Sequence, residues 1–333
     1  MKRESMRATA VAHPNIALAK YWGKRPGTGN FPAVPSLSVT LTGMSTRTSV
    51  DFRRDLSEDR FVLGGVEVAG EPYLRVRRLL ERVRRAAGVG FAGEVISTND
   101  FPTASGLASS ASGFAALALA ACGAAGLDWD RTQVSDLARR SSASAARSLF
   151  GGFVELDAGP EFPMESQLLG ARPLLPSEHM DLRVLVCVTT EGEKALGSTG
   201  GMQRTAADSP YYGAWLETAP VLYGELRTAL LAGDLAKVGF LTERSALAMH
   251  ASALAAGVVY VTGATLDVLA AVRALRRDGR VAYATMDAGP HVKVLTSGRE
   301  AGLLVKTLRG VPGVLRVLET APGDGAQLIE EAL

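Results

Sequence analysis

Cysteine is nearly absent from this chain of 333 residues: only Cys122 and Cys187 occur, each in apolar surroundings. Two such thiols provide neither a disulfide framework nor metal-ligand spacing, and they suit a reducing compartment. The four histidines, His13, His179, His250 and His291, also lack metal-site spacing and are assigned no role. No apolar run approaches the ~18 residues that a membrane-spanning helix needs. The opening "MKRESMRATAVAHPN" has no secretory apolar core, so a cytoplasmic protein is expected. There is no internal repeat and no low-complexity tail. Neither G-x-x-x-x-G-K-[ST] nor a strand-linked G-x-G-x-x-G occurs, so a Walker-type or Rossmann nucleotide site finds no support. A formal net charge of +2 asks for neither nucleic acid nor an acidic membrane surface.

What is present is the composition of a globular protein, 47% hydrophobic and 21% charged, long enough for one large or two ordinary domains. Short segments rich in Val, Thr and Ser, such as "SLSVTLTG", "RTSVDFRR" and "FVLGGVEV", read as strands. Between them "YLRVRRLLERVRRAAG" reads as an amphipathic helix, with Leu74, Val76, Leu79, Leu80 and Val83 on its apolar face. Its arginines read as a solvated face rather than a polyanion patch. A further helix is expected from about Gly106 to Ala125, and another from a cap at Asp130. From Ser209 onward, long helical patterns alternate unevenly with "RVAYATMDAG", "HVKVLT" and "VLRVLET". Uneven clustering of strands and helices predicts an α+β fold, with the domain boundary in the crossover near residues 180–195.

The densest chemistry lies in "DFPTASGLASSASGF", residues 100–114. Helix N-termini present unpaired N–H groups and a partial positive charge, which suits them to phosphate. Gly106 allows close backbone approach, and Ser109 and Ser110 add hydroxyls. Composition alone leaves a Ser-rich cap on a packed helix equally open. Elsewhere "HPNIALAKYWGKR" brings Lys20, Tyr21 and Lys24 within five residues, either as two surface lysines beside an aromatic anchor or as an anion site. Arg147 in "RRSSASAARSLFGGFVEL" is either an anion fork or half of a structural ion pair. Asp287 in "YATMDAGPHVKVL" is either a turn former or an acid facing a cleft.

Taken together and in order, these strings resemble the GHMP kinase superfamily and, within it, the diphosphomevalonate decarboxylase family. "PTASGLASSASG" is similar to the superfamily's ATP-phosphate loop, with Ala108 before the serine pair as in the decarboxylases. The resemblance implies nucleotide contacts from Gly106, Leu107, Ala108, Ser109 and Ser110, with Ser109 and Ser110 also near the metal. It implies substrate contacts from Asn15, Tyr21, Lys24, Ser142, Ser144 and Arg147. From "KALGSTGGMQRT" it adds Ser198 and Thr199, with Gly201 close by. Asp287 falls on the catalytic carboxylate, with Lys20 and Arg147 assisting. Departures from the family pattern stand at Ser141, Ala143 and Ala146, at Gly197, and at Val34-Pro35.

The fold implied is an N-terminal domain like ribosomal S5 domain 2 (residues 1–185) and a ferredoxin-like C-terminal domain (186–333), with the site between them. The reaction implied takes mevalonate 5-diphosphate and ATP, with Mg²⁺, to isopentenyl diphosphate, ADP, phosphate and CO2 through phosphorylation of the 3-hydroxyl. A mevalonate 3-kinase, a phosphomevalonate decarboxylase and a noncatalytic binding protein on the same fold are the alternatives. A homodimer is implied, and "EDRFVLGGVEV" is expected to supply an adenine-side hairpin.

Overall fold

The computed structural model describes residues 6–27, 29–101, 109–192 and 196–330. Three antiparallel-rich sheets organise them. The first has strand order β14-β1-β4-β7-β5-β6, built from β1 (Arg7–Ala12), β4 (Thr46–Arg53), β5 (Arg60–Leu63), β6 (Val66–Glu67), β7 (Ala92–Asn99) and β14 (Gln327–Ile329). The second, β2-β3-β8-β9, comprises β2 (Asn15–Ala19), β3 (Ser36–Thr40), β8 (Phe153–Leu156) and β9 (Arg172–Leu175). The third, β11-β12-β10-β13, comprises β10 (Leu182–Val188), β11 (Tyr283–Met286), β12 (Val292–Ser297) and β13 (Arg316–Thr320). The mixture of sheets and helices is the expected α+β class.

Helix α1 (Gly70–Ala87) lays Val76, Leu79, Leu80 and Val83 into the core beneath the first sheet. Leu74, expected on that stripe, is 38% exposed, and Tyr73 packs there instead. The 3.6-residue period explains this: position 74 falls two residues, or about 200°, from Val76. Helix α2 (Ser109–Ala125) is alanine-rich and buried on nearly every side against β1 and β4. Such a helix draws its stability from packing rather than from an amphipathic face. Of the helix expected from about Gly106, the part before Ser109 lies outside the described residues. Helix α3 (Arg131–Ser141) starts with a reciprocal capping box between Asp130 and Gln133, as the cap reading expects.

Beyond the second sheet come α4 (Ser198–Asp208), α5 (Tyr212–Leu231), α6 (Leu235–Ala255), α7 (Gly263–Arg277) and α8 (Gly298–Arg309). The start of α4 carries three small residues and no side-chain cap, which is why no helix was expected there. The β2–β3–β8 sheet and β10 share one apolar core with α5 and α6 through Leu18, Leu37, Phe153, Val184 and Leu226. That shared core fixes the relation between the two halves of the chain. β14 closes back onto β1 in the first sheet.

Candidate active site

β2 delivers the first catalytic candidate through an irregularity. Its pairing with β3 shifts register between Ala17 and Ala19, and such bulges re-aim the residues that follow. Lys20, the next residue, is 2% exposed. Its Nζ donates to the Ala17 carbonyl at 2.8 Å and to Oδ1 of Asp287 at 2.7 Å. Asp287 occupies the turn between β11 and β12, so 267 residues of chain separate the pair. Lys293, from β12, sits 3.3 Å from the other carboxylate oxygen, Oδ2. Burial would raise the Asp287 carboxyl, but Lys20 and then Lys293 outweigh it and hold it well below the usual carboxylate range. Burial lowers Lys20 to about 8 despite Asp287.

A 3₁₀ turn, Ala143–Leu149, carries Arg147, close enough to act electrostatically on Lys20 and Asp287. Asn15 pins that turn: its Nδ2 donates to the Ser144 carbonyl at 2.9 Å and to Ser148 Oγ at 2.8 Å. Arg147 is buried, its Nε donating to Ser38 Oγ at 3.0 Å and its Nη1 to Ser36 Oγ at 2.8 Å. Burial lowers it to about 10, so it stays cationic near neutrality. Among the described residues its partners are hydroxyls rather than a carboxylate, which sets aside the structural ion pair. The Ser142 and Ser144 hydroxyls lie 3.1 Å apart beside it.

Lys24 completes the rim. Its Nζ donates to Asn30 Oδ1 at 2.7 Å and to Thr199 Oγ1 at 3.0 Å, and burial, then Arg75, lowers it to about 8. Asn30 has a left-handed φ of 53° and donates to the Arg140 carbonyl at 2.6 Å. Asn15, Lys20, Tyr21, Lys24, Ser142, Ser144, Arg147, Ser198, Thr199 and Asp287 all line one cavity of about 640 Å³. Tyr21 keeps a buried phenol there, and burial pushes its pKa up. Gly201 is not on that wall; a Cβ there would lie 2.2 Å from Tyr260 Oη and 3.0 Å from Trp22. Its role is close packing of α4. Val34 likewise belongs to the apolar cluster around Trp22 and Met202.

Two sets of residues escaped the sequence reading. The arginines of α1 are not simply solvated: Arg75, Arg78 and Arg82 line the same cavity. Arg75 Nη2 donates to the Ser141 carbonyl at 2.6 Å, and its guanidinium lies 4.4 Å over the Phe114 ring. Lys293 was passed over inside the apolar string "HVKVL", although a lysine in a strand buried on both faces is itself a signal.

A second cavity, of about 180 Å³, opens beside the start of α2. Phe61, Leu63, Val76, Phe114 and Leu117 give it apolar walls, and Ser97, Asn99, Ser109 and Ser110 add polar groups. Phe61 and Leu63 come from the expected adenine-side hairpin. Flat apolar walls with a few polar groups suit a purine ring, and the α2 N-terminus with its two serines suits the attached phosphates. Ser110 borders both cavities. Among the described residues no cluster of acidic, His or Cys side chains could hold a metal by itself. The Ser109 and Ser110 hydroxyls in the lining of this cavity are hard oxygen donors, of the kind that suits a phosphate-bound Mg²⁺. Gly106, Leu107 and Ala108 lie outside the described residues.

Comparison with known proteins places this geometry. Residues 12–167 match the diphosphomevalonate decarboxylase-like N-terminal domain, and residues 184–320 match the mevalonate 5-diphosphate decarboxylase C-terminal domain. A diphosphomevalonate decarboxylase of Candida albicans is 32% identical, the alignment covering 98% of this chain and 99% of that protein. The chain belongs to the diphosphomevalonate decarboxylase family. Among family relatives, a phosphomevalonate decarboxylase of Haloferax volcanii is 37% identical over 88% of this chain and 89% of its own. A solved structure of MDDEF in complex with MVAPP, AMPPCP and magnesium superposes with a TM-score of 0.90 at 36% identity, covering 98% of this chain and 99% of that one. The expected GHMP architecture is thus the decarboxylase fold.

Proposed function

We propose that this decarboxylase-family enzyme converts mevalonate 5-diphosphate and ATP to isopentenyl diphosphate, ADP, phosphate and CO2. One observation carries the reading: the Asp287 carboxylate, paired with buried Lys20, lines the same cleft as Arg147, Ser142, Ser144 and Lys24. A substrate with one hydroxyl, one carboxylate and one diphosphate finds a partner of matching chemistry for each group. Asp287 takes the 3-hydroxyl, Arg147 the carboxylate, and Lys24 with Ser142, Ser144 and Tyr21 the diphosphate, aided by Ser198 and Thr199. Arg75 lines the cleft close enough to join them.

A tertiary hydroxyl is a poor leaving group, and bound ATP with Mg²⁺ supplies the phosphoryl group that makes it a better one. The smaller cavity, with Ser109 and Ser110 and the adjoining Gly106, Leu107 and Ala108, would hold that nucleotide. Asp287 is too weak a base to ionise an alcohol beforehand, so it orients the hydroxyl and accepts its proton late, as the new O–P bond forms. Lys20 offsets charge developing beside it. Departure of phosphate then builds positive charge on C3. Electrons of the breaking bond to the carboxylate carbon quench it, forming the double bond and releasing CO2, while Arg147 holds the carboxylate in place until then.

Mevalonate 5-phosphate is the second reading, favoured by the name of the Haloferax relative. The two separate in one experiment: purified protein, ATP and Mg²⁺ are mixed with mevalonate, its 5-phosphate or its 5-diphosphate, following ADP and CO2 together. Matched ADP and CO2 from the diphosphate alone supports the main reading, and preference for the monophosphate supports the second. ADP without CO2 from mevalonate indicates a 3-kinase, and no turnover a binding protein. Among the described residues no helix is long and apolar enough to cross a membrane. A cytoplasmic homodimer divided near residue 185 completes the proposal.

A further inference from the structure

Lys293 is 1% exposed and takes no part in the cleft wall, yet its ammonium lies 3.3 Å from Oδ2 of Asp287. It stands between Val292 and Val294 on a strand paired on both sides, opposite Thr285 and Val186. Burying an ammonium in such a strand is costly, and an apolar residue of similar length is often as stable or more so. Lys20 already offsets the charge of Asp287 through Oδ1 at 2.7 Å, and the carboxylate is 31% exposed, so water can serve Oδ2 without a second cation. A carboxylate at a turn has two free torsions, and one ion pair leaves it able to swing about that contact. Two cations on its two oxygens fix both the plane and the charge.

We propose that Lys293 is a positioning residue for the reaction, holding Oδ2 of Asp287 so that the Oδ1 edge stays with Lys20 at the cleft. The inference rests on the reading of Asp287 as the carboxylate that meets the hydroxyl. Lys20 from the end of β2, Lys293 from β12, Arg147 from the 3₁₀ turn and His250 from α6 are the charged or titratable groups that act on Asp287. Burial, then Lys20, pushes His250 down to about 4, so it is neutral at working pH. Removing Lys293 removes one of the two cations beside the carboxylate, which makes its anion easier to protonate.

The test is Lys293→Met in the full-length enzyme, read by thermal melting, steady-state kinetics and the acid limb of the kcat/KM–pH profile. The expected result is a melt at or above wild type, substrate KM within about threefold, and kcat lower by on the order of 10- to 100-fold, the loss of one charge-assisted hydrogen bond. The acid limb moves to higher pH and does so equally in a His250→Gln background, which separates the imidazole from the carboxylate. Lys293→Arg restores most of kcat and the wild-type limb. In an Asp287→Asn background, Lys293→Met costs little more. Wild-type kcat and limb in Lys293→Met would overturn the inference. So would a loss of the same size with and without Asp287, which marks a merely structural lysine. If the Met variant shows no cooperative melt, Lys293→Gln and Lys293→Arg decide: kcat lowered by Gln at little-changed KM and restored by Arg supports positioning, and wild-type kcat in both refutes it. Near-normal turnover of Asp287→Asn alone sinks the reading of Asp287 itself, a different failure.

Discussion

Lys24 donates from Nζ to Oγ1 of Thr199 at 3.0 Å, joining the loop after β2 to the first turn of α4 across the cleft. The same ammonium meets Asn30 Oδ1 at 2.7 Å, so it is held ready before any anion arrives. A preorganised cation at the rim affects capture of a phosphorylated substrate more than the chemical step. Lys24→Met is expected to raise KM for the phosphorylated substrate by roughly 10- to 100-fold, with kcat within a few-fold. Initial rates over a substrate series check this, and a kcat loss at unchanged KM would contradict it.

Asp287→Ala should reduce turnover by about 10³-fold or more, the usual scale for a positioned acid–base group. Substrate affinity by calorimetry should change only modestly, because the partner proposed for Asp287 is the hydroxyl rather than the phosphates. Near-normal turnover would remove Asp287 from the mechanism.

Arg147 is held by two serines, so its removal leaves Ser36 and Ser38 without their donor and takes away the cation proposed to hold the substrate carboxylate. Arg147→Met is expected to lose about 10²–10³ in kcat/KM. Ser36→Ala should give a smaller loss of the same kind, since Nη1 then lacks its 2.8 Å anchor. Equal activity of both variants and wild type would contradict the assignment.

The alkaline side of the pH profile should report the lysines. Lys20 and Lys24 are each lowered to about 8, so both are cationic at pH 7 and lose charge as pH rises through 8. The value of kcat/KM, which reflects the free enzyme, is expected to fall above about pH 8. The kcat limb should lie higher, because a bound anion favours the protonated amines. Stability linkage has the opposite sign: unfolded lysine stays protonated to about 10.5, so these two groups favour the folded state increasingly between pH 8 and 10. Parallel activity and melting profiles test the divergence.

Gly152, in "LFGGF", has φ of +66°, and a Cβ there would lie 2.3 Å from the Leu175 carbonyl oxygen. It lies next to β8, whose strand follows the Arg147 turn. Gly152→Ala is expected to cost at least about 2 kcal/mol, combining left-handed backbone strain with overpacking. Urea unfolding measures it, and an unchanged midpoint would show that the β8–β9 region yields more easily than its contacts suggest.

Legibility followed the range of the interactions. Asp130 as a cap, the apolar stripe of α1 and the strand character of "SLSVTLTG" are local matters of period and hydrogen bonding, and the structure has them. The string 13–25 leaves open in sequence whether its lysines face water or an anion. β2 ends at Ala19, and Lys20, Tyr21, Trp22 and Lys24 all border the cleft. The bulge that causes this depends on pairing with β3, which no local pattern reveals. Helix α4 escaped because Ser198, Gly200 and Gly201 are poor helix formers, and the packing of Gly201 against Trp22 and Tyr260 overrides their propensity.

By itself the sequence determined which chemical groups this protein has to work with. Lys20, Lys24, Arg147 and Asp287 stand in contiguous strings long enough to be read, because each string also builds the turn or bulge that presents its residue. Only the tertiary structure decided which groups meet. An arginine on the polar face of α1 reads alike in sequence whether it faces water or a cleft, since periodicity defines the apolar side and not what lies opposite. Lys293 reaches Asp287 through the geometry of a hairpin buried on both faces, where no alternation marks a residue as inward. The 2.7 Å contact between Lys20 and Asp287 closes a loop of 267 residues. Packing of the shared core, not any local preference, brings those two charges together.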